Sequence, residues 1–204
     1  MRDDPETTFA SLLASRLCHD IVNPAGALNT ALDVLATETD SDLRQHAESL
    51  VSTSMDRLLA IVEFARLAFG ASGGGDGDLE TEALKGVAVR LFEHQKAELT
   101  WTLPPAMVPK RAGRALLNLL LCAERLAPRK GSTVTISQTP DGLSMVAAGP
   151  RAGLPDDLAA ALRGEVDMPE PKLMPAVMAQ RLAQAGGVSI TTEVGEDEVT
   201  VSLR

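Results

Sequence analysis

The sequence predicts an α+β protein in two parts: an N-terminal antiparallel helical hairpin and a C-terminal two-layer α/β sandwich. Three observations carry this. Two long stretches with helical apolar periodicity, 6–37 and 42–69, are separated only by Glu38-Thr39-Asp40-Ser41. A glycine-rich run, Gly70-Ala71-Ser72-Gly73-Gly74-Gly75-Asp76-Gly77-Asp78, follows them. Beyond it, strand-like segments paired by turn residues alternate with helical stretches, the pattern of helices packed on an antiparallel sheet.

The first helix places Leu13, Leu17, Ile21, Pro24, Leu28, Leu32 and Leu35 on one face, with Phe9 at its edge and Thr7 or Thr8 near its start. Asp40 or Ser41 caps the second helix. Its apolar face carries Leu43, Ala47, Leu50, Val51, Ser54, Leu58, Ile61, Val62 and Ala65. Two long helices joined so tightly must run antiparallel. A lone hairpin buries apolar surface poorly, so a second copy completing a four-helix bundle, a homodimer, is expected. The domains expected are 1–70, the hairpin, and 79–204, the sandwich, with 71–78 as a flexible linker. Strands are expected at 86–91, 98–103, 132–139, 143–148, 188–194 and 198–203, and helices at 109–127, 155–162 and 172–185. Thr139-Pro140-Asp141-Gly142 and Gly195-Glu196-Asp197 are turn sequences, so their flanking strands form hairpins.

Composition narrows the function. The chain has 204 residues, 45% hydrophobic and 23% charged, enough to bury a core. Aromatic residues are only 2%, with no Tyr, so there is no base-stacking platform, and a net charge of −9 disfavours a phosphate backbone as partner. No nucleic-acid partner is expected. No apolar run approaches the about 18 residues of a membrane span, and no signal peptide opens the chain, so no membrane association and a cytoplasmic location are expected. Cys18 and Cys122 lack metal-ligand spacing and read as reduced, buried, small apolar residues. His46 and His94 read as surface residues, and Trp101 as a core or domain-interface anchor.

The stretch Arg16-Leu17-Cys18-His19-Asp20-Ile21-Val22-Asn23-Pro24 carries the chemistry. His19 lies roughly 170° from the centre of the apolar stripe, so it faces away from the core. Its helical neighbours are Ser15, Arg16, Val22, Asn23 and Gly26, mostly small, which lets a partner approach the ring. Pro24 removes a backbone N–H and presses on the carbonyl of Asp20, bending the helix one turn beyond the histidine.

His19-Asp20 followed by Asn23-Pro24 resembles the phosphoacceptor box of two-component sensor kinases, and the hairpin resembles their dimerisation and phosphotransfer domain. The C-terminal part is similar to their ATP-binding domain with its site removed. In Asn118-Leu119-Leu120-Leu121-Cys122-Ala123, Cys122 stands where the kinases hold Mg²⁺ with a second Asn. In the loop Val146-Ala147-Ala148-Gly149-Pro150-Arg151-Ala152-Gly153-Leu154-Pro155, Ala147 stands nearest the adenine-binding Asp. Without an Asp or Lys beside them, Gly149 and Gly153 read as turn glycines rather than a phosphate cradle. Pro169-Glu170-Pro171 precedes the last helix with no Gly-x-Gly lid. Box, linker and degenerate domain together resemble the alphaproteobacterial ChpT family of histidine phosphotransferases, over nearly the whole chain.

The resemblance implies a phosphorelay. His19 would accept phosphate from the receiver domain of an upstream hybrid kinase and pass it to an Asp on a downstream response regulator. The chain would need no cofactor of its own, because the receiver brings Mg²⁺. Asp20 would serve as adjacent acid/base or ring-orienting group, Asn23 would hydrogen-bond phosphoryl oxygens or the partner loop, and Arg16 would offset phosphate charge. Ser15, Arg16, Val22 and Gly26 would form docking surface. Two alternatives remain: an active ATP-dependent sensor kinase and a non-enzymatic dimeric adaptor.

Overall fold

The computed structural model describes residues 4–70, 76–166 and 169–204. The chain forms two compact units, residues 1–65 and 66–204. In the first, helix α1 (Pro5–Thr37) begins where the Asp4 carboxylate accepts the Thr7 N–H at 3.1 Å, with Pro5 in the first turn, where its missing N–H costs nothing. The cap is thus Asp4, ahead of the two threonines. The helix runs on through Pro24, which is buried, so the ring packs against the core while Asp20 forgoes its usual backbone donor.

Helix α2 (Ser41–Phe69) is capped by Asp40, whose Oδ1 accepts the N–H groups of Asp42 and Leu43 at 2.9 and 3.1 Å. Glu38 fixes the connection by accepting the Thr39 and Asp40 N–H groups, which holds its carboxyl below the usual range. Arg44 donates to the carbonyls of Leu35 and Glu38 at 2.7 and 3.1 Å, satisfying the last turn of α1 and drawing α2 back on it. Burial is nevertheless thin. On α1 only Pro24 and Ala31 are buried, and Leu13, Leu17, Ile21, Leu28 and Leu35 are half-buried. Leu32, Leu43, Leu50 and Val62, expected on the core faces, are about half exposed. Two helices touch along a single line, and the apolar stripe here is wider than that line.

The second unit centres on a five-stranded sheet of order β2-β4-β5-β7-β6, with β2 (Glu98–Trp101), β4 (Thr133–Thr139), β5 (Gly142–Ala148), β6 (Ile190–Gly195) and β7 (Glu198–Leu203). The β4–β5 and β6–β7 pairs are antiparallel hairpins, as the turn residues require. The β2–β4 pair is parallel, so a crossover must join them. That crossover carries β3 (Met107–Pro109), α4 (Lys110–Leu120) and α5 (Ala123–Leu126). Alternate strand residues, Val134 and Ile136, Met145 and Ala147, Val199 and Val201, are fully buried. They form one core with Leu116, Leu117, Leu119 and Leu120 of α4, Leu158 of α6 (Asp156–Arg163) and Met174 of α7 (Met174–Ala185). The two-layer α+β class is as expected.

Four local expectations are corrected. Residues 86–91 are not a strand but part of helix α3 (Thr81–Phe92). Val87 and Val89 imitate a strand, but Leu84, Ala88 and Leu91 recur at helical spacing and are buried, so packing decides. The expected helix 109–127 breaks after Leu120, where Cys122 N–H turns back to the Leu119 carbonyl at 2.9 Å. The strand expected over 98–103 stops at Trp101. A small ribbon, β1 (Asp78–Glu80) paired with β3, was not expected at all. Of the expected linker, 71–75 lie outside the described residues, and Asp78 already pairs with Pro109. Trp101 is half-buried at the end of edge strand β2.

Candidate functional site

Helix phase alone lifts His19 out of the stripe, and the structure places it there with a side chain 72% exposed. Its neighbour Asp20 and the preceding-turn Arg16 are much less accessible, at 21% and 19%. Arg16 Nε donates to Asp20 Oδ2 at 2.9 Å, and the other oxygen, Oδ1, lies 3.5 Å from His19 Nδ1. One carboxylate thus faces a guanidinium on one side and the imidazole on the other. A carboxylate at Nδ1 favours the tautomer protonated there, which leaves the Nε2 lone pair for the solvent side.

The remaining expected residues fall around this ring. Ser15, Val22, Asn23 and Gly26 are all exposed, and nothing lies within 4 Å of a Cβ built on Gly26. Val22, 63% exposed, is the large apolar side chain of the group. Cys18 is also exposed, contrary to the buried role expected of it: it sits on the flank of the helix, roughly 90° from the centre of the stripe. Cys122 is buried, as expected. The pairing of Arg16 with Asp20 was missed, although their i, i+4 spacing signals it.

The positions at which the sequence resembles a kinase nucleotide site take another course. Asn118 is completely buried; its Nδ2 donates to the Arg114 carbonyl at 2.9 Å, and its Oδ1 has no partner among the described residues. Cys122 Sγ donates to the Asn118 carbonyl at 3.5 Å within the same buried turn. Ala147 is fully buried in β5, and α4 packs directly on α7. The loop after β5 is closed to anions. The N–H groups of Gly149 and Arg151 go to the backbone carbonyl and the carboxylate of Asp197, each at 2.9 Å, that of Ala152 to Gly149, and that of Gly153 to Leu126. A phosphate cradle needs free N–H groups, and these four are taken. Gly149, at φ 131°, is there because a Cβ would come within 2.6 Å of Ser132 Cα. Among the described residues no group of three or more His, Cys, Asp or Glu side chains is placed to hold a metal ion, and no helix is long and apolar enough to cross a membrane.

Comparison with known proteins adds to this geometry. The protein phosphotransferase ChpT of Brucella abortus (strain 2308) is 38% identical over 124 residues, 61% of this chain and 58% of that protein. The matched stretch therefore spans little more than half the length of that curated relative. A solved structure described as a bacterial phosphotransferase superposes with a TM-score of 0.82 and 28% identity, covering 96% of this chain and 95% of the other. The family model for the histidine phosphotransferase C-terminal domain matches residues 81–198. That is more than half of the chain, and the protein belongs to the histidine phosphotransferase C-terminal domain family.

Proposed function

We propose that this protein is a phosphorelay histidine phosphotransferase that works through His19 and binds no ATP. The observation that carries the reading is an exposed imidazole whose Nδ1 faces a carboxylate, on a helix that presents its small-residue face around it. The Nε2 lone pair attacks the phosphorus of a receiver's aspartyl phosphate, a P–N bond forms, and the P–O bond to the donor carboxylate breaks. The ring then carries positive charge, and Asp20 Oδ1 accepts its Nδ1–H. Attack by the carboxylate of a second receiver reverses the exchange and restores the neutral imidazole. Each receiver supplies Mg²⁺, so the chain contributes position more than charge neutralisation. Asn23, one turn on, is placed to donate to a phosphoryl oxygen or the receiver loop. Ser15, Val22 and Gly26 give the receiver a low, partly apolar surface.

The same reading makes the protein a cytoplasmic homodimer. Met55, Leu59 and Val62 recur at i, i+4 and i+7 along α2 and are 44%, 45% and 50% exposed, and Leu32 on α1 is 49% exposed. A second copy covering them forms a four-helix bundle. Leu32 lies on the flank of the α1 stripe opposite Asp20 and Asn23, so the dimer leaves His19 open.

Incubation of the protein with a phosphorylated receiver tests the function. The expected result is an acid-labile, alkali-stable label on the wild type, none on His19→Gln, and onward transfer to a second receiver. Micromolar affinity in an ATP titration would instead make the chain a kinase. Partner regulation that survives His19→Gln intact would make it an adaptor.

A further inference from the structure

Arg16 reads at first as a cation waiting for phosphate. The geometry points to a different role: we propose that Arg16 is a positioning residue that acts on His19 through Asp20, without touching the phosphoryl group. This rests on the reading of His19 as the phosphoacceptor. The two side chains of the pair are only about a fifth exposed, whereas the ring they support is 72% exposed. The Arg16 bond to Oδ2 is short, at 2.9 Å, and the Oδ1 contact with Nδ1 is long, at 3.5 Å. The firm contact therefore sits on the side away from the chemistry. An aspartate has rotamers in several wells, and its terminal torsion is broad. With Oδ2 anchored, the remaining freedom is restricted to orientations that aim Oδ1 at the ring.

Charge supports the same role. A carboxylate left to swing would meet Nδ1 only part of the time, and its full charge would repel an incoming phosphoryl group. Pairing with a guanidinium, which does not deprotonate in proteins, removes the net charge and leaves the acceptor oxygen in place. The ring is then oriented by a neutral pair. A guanidinium engaged in this way sits behind Asp20 rather than over Nε2, where the phosphorus must arrive.

Side-chain ¹⁵N spectra of the full chain test this without any phosphate donor. The chain has three histidines, and His19→Gln identifies the resonances of His19. The wild type is expected to show His19 mainly as the Nδ1–H tautomer. In Arg16→Ala both ring nitrogens should move toward the tautomer average, His46 and His94 should not move, and transfer should slow about 10-fold. Arg16→Gln is the discriminating variant, because Gln Nε2 occupies the place of Arg Nε and donates without charge. It should restore the tautomer and recover part of the lost rate, since the charge of Asp20 is then left unpaired. An unchanged His19 tautomer in Arg16→Ala, whether or not transfer falls, overturns the proposal. So does an Arg16→Gln variant with the wild-type tautomer and the rate of the alanine variant. If Arg16→Ala does not fold, Arg16→Met, which keeps the length of the stem and donates nothing, takes its place with the same two outcomes. Because the tautomer is read with no receiver present, a failed relay and a failed positioning role are separate results.

Discussion

The helical hairpin and the C-terminal unit treat their key positions in opposite ways. On α1 only two residues are buried, and His19 stands almost free of the structure that carries it. In the C-terminal unit, Asn118, Cys122 and Ala147, where the sequence resembles kinase ligand motifs, are all within the core. A transferring imidazole must be reached by large partners, so it belongs on a thinly packed surface. In the C-terminal unit the helices close on one another, as α4 and α7 do. The difference teaches that resemblance in fold and retention of chemistry are separate properties within a single chain.

The sharpest way to break the contrast is at the two kinds of position themselves. His19→Gln should lower phosphotransfer by at least about a thousandfold, with stability unchanged within about 0.5 kcal/mol, because the ring packs on almost nothing. A thermal melt beside the transfer assay checks both. Leu117→Ala should do the reverse. Leu117 is fully buried in α4, and its truncation should cost about 3 kcal/mol in denaturant unfolding while His19 chemistry is spared in the folded fraction. Leu59→Glu tests the exposed ridge of the hairpin: dimer affinity in sedimentation should fall by about 10-fold or more, with little change in helix content. A wild-type protein that sediments as a monomer would remove the bundle from the proposal.

The smallest effect concerns Asp157, which Arg125 reaches at 2.6 Å and Lys172 at 3.5 Å. The hydrogen bond from Arg125 chiefly, aided by the charges of Arg125 and Lys172, holds this carboxyl below its usual value. A lowered folded-state pKa gives stability that is present above the unfolded value, about 3.9, and is lost as pH falls through the folded value. The side chain is 39% exposed, so screening limits the contribution to under about 1 kcal/mol. Asp157→Asn should therefore cost that little at pH 7 and nothing at an acid pH below the folded-state value. Unfolding curves at the two pH values check the sign.

Much of this was legible in the residues. The phase of α1 placed His19 on the open side, and the turns at Asp141-Gly142 and around Asp197 announced two hairpins that the structure contains. The strand expected at 86–91 failed because two β-branched valines outweighed a weaker helical repeat whose meaning depends on what Leu84 and Ala88 pack against. The ribbon of β1 and β3 is three residues on each side, too short to leave a period. Cys18 misled because residue type suggested burial, whereas its phase puts it on the flank of the helix, where a two-helix hairpin covers nothing.

What the sequence determined by itself is whatever depends on neighbours within one or two turns: the helix caps, the outward phase of His19, the nearness of Asp20 and Arg16, and the hairpin turns. These follow from fixed backbone periods. Only the tertiary structure decided that Asp197 occupies the N–H groups of a loop 46 residues earlier, and that the apolar stripe of the hairpin is left half uncovered. Those outcomes depend on contacts and accessible surface, which the pattern along the chain does not contain.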